Sequence, residues 1–129
     1  MIKLTNLLLV ILLVLTGCLS RDATQKPVTI IASKTDDACG GVGLVVSSIV
    51  DRVTIFSSPA LGSSEIGEVE IGSRVLLCDE SEDWYGVVVL EKGLECISYQ
   101  EEETSRTTVY LGPCVSGWIE KRFVELFAG

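Results

Sequence analysis

The sequence predicts an all-β fold, a small barrel or sandwich. From Leu44 onward it is a succession of short β-branched runs separated by turn residues. No helix-length apolar stripe interrupts that succession before the last few residues. Many short strands with regular turns leave a packed β unit as the economical way to bury their apolar faces.

The strands are expected, in chain order, at 44–49, 53–56, 65–70, 74–80, 84–90, 94–99, 107–111 and 117–119. Ser57-Ser58-Pro59 and Leu61-Gly62-Ser63-Ser64 form a loop, and Ile71-Gly72-Ser73 a turn. Glu91-Lys92-Gly93 reads as a tight hairpin connection, glycine supplying the backbone freedom that such turns need. Residues 121–127 fit either a single helical turn or an edge strand. Thr107-Thr108-Val109-Tyr110 can pair back on 94–99 across 101–106, which predicts a β-hairpin.

Composition removes several kinds of chemistry. The chain of 129 residues has no histidine, so Ser–His–Asp and Cys–His nucleophiles and His-containing zinc sites are excluded. Ten Lys and Arg against eighteen Asp and Glu give a formal charge of -8. Affinity for nucleic acid rests largely on cationic side chains that displace counterions, so no nucleic-acid partner is expected.

The N-terminus carries an export signal. Lys3 precedes an unbroken Leu/Val/Ile run over 7–15, and Thr16-Gly17 leads into Cys18. A nine-residue run is too short for a membrane-spanning helix, which needs roughly 20 residues. Leu15-Thr16-Gly17-Cys18 resembles the bacterial lipobox. The resemblance implies removal of 1–17 and lipidation of Cys18, with the mature chain carrying nine basic and eighteen acidic residues on the far side of the cytoplasmic membrane. Two or three acyl chains hold a protein firmly where one binds only marginally. Leu19, where enterobacterial lipoproteins kept at the inner membrane carry Asp, implies by the same resemblance an outer-membrane location facing the periplasm.

Residues 18–43 are polar and broken by Pro27, Gly40, Gly41 and Gly43, which reads as a flexible tether with one short β-branched run at 28–31. Cys39 speaks for part of it packing on the domain, since it needs a partner. The domain proper is expected at 44–129.

Five ordered blocks in that domain carry a resemblance. They are Val53-Thr54-Ile55-Phe56-Ser57-Ser58-Pro59, Ser64-Glu65-Ile66-Gly67-Glu68-Val69, Gly72-Ser73-Arg74-Val75, Asp83-Trp84-Tyr85-Gly86-Val87 and Gly117-Trp118-Ile119. Together they resemble the bacterial SH3 (Src-homology-3-like) domain. The resemblance implies a small SH3-like β-barrel and a non-catalytic module that binds peptidoglycan or its stem peptides. The family's Asn-Val-Arg stands here as Thr54-Ile55-Phe56, so ligand contacts made by that Asn and Arg do not carry over. Residues 94–116 form an insertion before the Gly-Trp block, the inserted β-hairpin named above. An envelope protein docked through that hairpin is the alternative partner.

Beyond Cys18, the even set Cys39, Cys78, Cys96 and Cys114 in an oxidising compartment implies two disulfides. Three pairings exist. Cys96–Cys114 would brace the hairpin base, leaving Cys39–Cys78 to fix the tether, and the other pairings stay open. No close C-x2–4-C spacing supports a metal site, and neither metal nor cofactor is expected.

Trp84 and Trp118 are assigned to the core, since aromatics bury large area in small domains. Tyr85 must face away from Trp84 on a regular strand, which makes it the ligand-contact candidate, with Phe56, Tyr99 and Tyr110 as neighbours on the same surface. The acids at Asp79-Glu80, Glu82-Asp83 and Glu101-Glu102-Glu103 read as solvated loops.

Overall fold

The computed structural model describes residues 25–32, 38–97 and 106–128. The leader 1–17, Cys18, Tyr99 and Glu101-Glu102-Glu103 lie outside the described residues. The expected all-β class is what the structure has. Its strands are β1 (Thr29–Ala32), β2 (Gly41–Val45), β3 (Arg52–Phe56), β4 (Glu65–Glu70), β5 (Arg74–Ser81), β6 (Trp84–Val89), β7 (Arg106–Val109), β8 (Ser116–Glu120) and β9 (Val124–Ala128). A 3-10 turn over Lys121–Phe123 leads into β9, so the C-terminal stretch is both the helical turn and the edge strand that its sequence allowed.

Seven strands form one antiparallel sheet in the order β4-β3-β8-β6-β5-β2-β9. The expected closed barrel is not formed, since among the described residues no ladder joins β4 to β9. The edge chemistry explains why. β4 carries Glu65, Glu68 and Glu70 and buries only Val69, and a row of carboxylates resists the desolvation that another ladder would demand. Its neighbour β3 reaches β8 through a single pair, Phe56 opposite Trp118.

The open sheet nevertheless curls. Val45, Val53, Ile55, Val69, Val75, Leu77, Val87, Ile119 and Val124 come from all seven strands and meet in one core. Strand alternation sends every second residue there. In the β6–β8 ladder Tyr85 lies opposite Ile119 and Gly86 opposite Trp118. Tyr85, Val87, Val89 and Ile119 therefore face the inner core, while Trp84, Val88 and Trp118 face outward.

That outer face is covered rather than solvated. β1 and β7 pair as a two-stranded antiparallel ribbon, Thr29 opposite Val109 and Ala32 opposite Arg106. Val28 packs with Phe56 and Trp118, and Ile30 packs with the cluster of Val88, Cys96, Tyr110 and Cys114. Each fully buried aliphatic or aromatic side chain contributes about 1.5–3 kcal/mol, so a sheet apolar on both faces gains from a second layer.

Three expectations change accordingly. The described part of the tether, 25–32 and 38–43, is built into the fold. β2 begins at Gly41 inside the glycine cluster, and at Gly43 the side chain of Val124 in β9 leaves no room for a Cβ. A Cβ on Gly43 would come 2.5 Å from Val124 Cγ1. The inserted hairpin is corrected as well: residues 94–97 form no strand, and β7 pairs with β1 instead. The Glu91-Lys92-Gly93 turn is present, Leu94 donating its N–H to the Glu91 carbonyl at 3.3 Å, but Cys96 then dips into the outer core.

Both favoured disulfides are made, Cys39–Cys78 and Cys96–Cys114. The first ties the N-terminal segment to β5, and the second closes the insertion onto the outer core.

Candidate functional site

A groove of about 560 Å³ runs between β1, β5, β6 and β9, lined by Ile31, Gly40, Leu77, Cys78, Asp79, Glu80, Tyr85 and Leu126. Its shape follows from an irregularity in β5. The register against β6 shifts between Leu77 and Asp79, and Cys78 in that step is the residue bonded to Cys39. A bulge of this kind re-aims the side chains beside it.

Asp79 is the pin of the groove. Its Oδ2 accepts from the Thr29 hydroxyl at 2.8 Å and from the Thr29 N–H at 3.2 Å, and its Oδ1 accepts from the Glu80 N–H at 2.8 Å. β1 is thus hydrogen-bonded to β5 through a carboxylate rather than a backbone ladder. Directly across, Gly86 leaves room for this approach, since a Cβ there would lie 2.6 Å from Asp79 Cβ.

Lys121 closes one end. Its backbone N–H donates to the Asp83 carbonyl at 2.8 Å, its ammonium pairs with Glu80, and the same ammonium stands 5.1 Å from the centroid of the Tyr85 ring. The hydrogen bond to Glu80 raises the Lys121 pKa above its ordinary value. Tyr85 is half-buried against the inner core, so one part of the ring is fixed and the rest is offered to the groove. Leu126, 68% exposed, and Ile31, 42% exposed, supply apolar walls. An aromatic floor and aliphatic walls, with a Glu80–Lys121 ion pair at the rim, are suited to an extended chain that carries apolar groups.

Of the four aromatic ligand candidates, Tyr85 alone is found at this groove. Phe56 and Tyr110, each 7% exposed, lie in the outer core against the β1–β7 layer, away from this groove. Phe56 meets Trp84 edge to face at 5.5 Å. The Tyr110 hydroxyl donates to the Cys96 carbonyl at 2.7 Å and accepts the Cys114 N–H at 3.2 Å, and burial raises its pKa. Tyr99 lies outside the described residues.

Trp118 is fully buried and Trp84 half-buried, both in the outer core. Tyr85 and Trp84 do face opposite ways, as alternation requires. Ile31, Gly40 and Leu126 are groove residues that the sequence reading did not single out. The run at 28–31 and the need of Cys39 for a partner are the signals pointing to the first two. Among the described residues no group of three His, Cys, Asp or Glu side chains is placed to hold a metal ion.

Comparison with protein-family models, curated proteins and solved structures gave no match in any of the three.

Proposed function

We propose that this chain is a bacterial envelope lipoprotein, anchored through acylated Cys18 at the periplasmic side of the outer membrane, whose SH3-like domain is a non-catalytic binding module for peptidoglycan stem peptides. The Tyr85 groove carries this reading. Stem peptides are extended and carry methyl-bearing residues, which suit the Tyr85 ring and the apolar walls of Ile31 and Leu126, with the Glu80–Lys121 ion pair as a polar margin. The two disulfides accord with an oxidising compartment outside the cytoplasm.

The SH3-like reading draws on the block order in the sequence together with the curled antiparallel sheet that those blocks build. The β1–β7 layer is then an addition that covers the sheet's outer face and leaves the groove at its margin.

Retention of the purified protein on isolated sacculi, at low and at high salt, tests the function. Retention is expected, and Tyr85→Ala together with Leu126→Ser should weaken it roughly tenfold, the loss of about 1.4 kcal/mol. Absence of retention at both salt concentrations, with a specific co-purifying protein, would turn the assignment toward an envelope protein partner.

A further inference from the structure

We propose that the loop 57–64, with Leu61 at its tip, faces the lipid surface that holds Cys18 and inserts its apolar tip there. The proposal rests on the lipid-anchored reading above and adds to it an orientation and a contact.

The first support is where the chain enters the structure. The Lys26 N–H donates to Ser58 Oγ at 2.8 Å, and the Lys26 carbonyl accepts from Trp118 Nε1 at 2.6 Å, which pins the entering segment beside this loop. Gln25 lines a shallow concavity together with Ser57, Ser58 and Ser64 of the same loop. Only six residues, 19–24, separate Gln25 from Cys18. Seven spans of at most about 3.6 Å reach roughly 25 Å, so the entry point cannot stand further than that from the acylated residue.

The second support is the chemistry of the loop. Ser57-Ser58-Pro59-Ala60-Leu61-Gly62-Ser63-Ser64 has no charge in a chain with eighteen acids, so nothing in it is repelled by anionic headgroups. Its backbone is already engaged: the Ser57 N–H donates to the Ser64 carbonyl at 2.9 Å, and Ser63 Oγ donates to the Ala60 carbonyl at 2.6 Å. Leu61, 67% exposed, is thus presented on a built turn. A leucine in this setting gains by leaving water for the headgroup–acyl boundary.

Topology gives the third support. The loop leaves β3 after Phe56, which pairs with Trp118, and so lies beyond the Ser116 end of β8. The acidic Glu82-Asp83 turn joins Ser81 to Trp84, which pairs with Glu120 at the other end of β8. The Glu82-Asp83 turn therefore points away when the loop meets the membrane, whereas the turn after β6, with Glu91 and Lys92, lies toward the Ser116 end.

The test uses the full chain, purified with its native modification and reconstituted in phosphatidylethanolamine/phosphatidylglycerol vesicles with or without brominated acyl chains. Leu61→Trp is compared with Ile49→Trp, a substitution at an exposed position in the loop before β3, and the signal of the parental tryptophans is subtracted. Gly62→Trp is a second probe, since a Cβ there meets nothing within 4 Å. Bromolipid quenching at Leu61→Trp and Gly62→Trp should exceed that at Ile49→Trp by about twofold or more. Equal quenching at both loops, or none, in protein whose intact mass shows an acylated Cys18 would overturn the loop contact and leave the anchor standing. An unacylated Cys18 would overturn both.

Discussion

The indole Nε1 of Trp118 donates a hydrogen bond to the backbone carbonyl of Lys26, 2.6 Å away and 92 positions earlier in the chain. The Lys26 ammonium stands 5.1 Å from the centroid of the same ring, so the segment before β1 is held to Trp118 by its carbonyl and its side chain. The N-terminal strap is therefore part of the outer core and not an appendage. Its removal should matter to the domain's stability, and four measurable outcomes follow from this and from the site geometry.

Replacing Trp118 by Phe removes the bond to Lys26 and part of the buried volume. The expected loss is about 1–3 kcal/mol, from the lost hydrogen bond to the Lys26 carbonyl and incomplete filling of the fully buried Trp118 site. Urea unfolding measures it, and amide exchange in β1 should rise more than in β5. An unchanged midpoint would show that the strap contributes nothing.

The two disulfides differ in the loops they close, with sequence separations of 39 and 18. Paired Cys→Ser variants should each lose about 2–4 kcal/mol, the Cys39/Cys78 pair losing about 0.7 kcal/mol more on loop length alone. Chemical denaturation of the two variants side by side supplies the comparison, and non-reducing peptide mapping checks the connectivity.

Tyr110 makes stability fall at high pH. Burial raises its folded pKa above 10.0, a rise opposed by the hydrogen bond from the Cys114 amide and aided by the charge of Glu91. A raised folded value means that this contribution is fully present below the unfolded pKa and is lost as pH rises through the folded one. Tyr110→Phe should lose about 1 kcal/mol at neutral pH and show a flatter decline above about pH 10. Parallel alkaline profiles for the two proteins would exclude Tyr110 as a cause.

Glu82 adopts φ 50 in the turn between β5 and β6, a left-handed conformation that side chains disfavour. Glu82→Gly should raise stability by about 0.5–1 kcal/mol, the strain relieved exceeding the added entropy of the unfolded chain. A lower melting temperature for the variant would contradict this.

Much of the sheet was legible because its strands are bounded by local signals. β4 has the expected ends, β5 and β6 differ from expectation by one residue each, and the opposite facing of Trp84 and Tyr85 follows from period two alone. The β1–β7 pairing was not legible. Thr29 and Val109 are 80 positions apart, and no local pattern encodes so distant a partner. That one omission hid the burial of Phe56 and Tyr110. Alternation put Phe56 on the face away from Ile55, and only the unseen second layer makes that face an interior. The glycine cluster misled in a different way, the smallness of Gly43 marking close packing against Val124 rather than freedom.

The Cys39–Cys78 bond gives the molecule a mechanical stop. Tension entering from the N-terminal side first loads the Lys26–Trp118 contact and the β1–β7 ladder, both of which can yield. Beyond Cys39 the force passes through a covalent cross-link directly into β5, held between β6 and β2 inside the curled sheet. Stretching would strip Ile31 from the wall of the Tyr85 groove while the seven strands stay folded, so a pulled domain would loosen its grip before losing its shape.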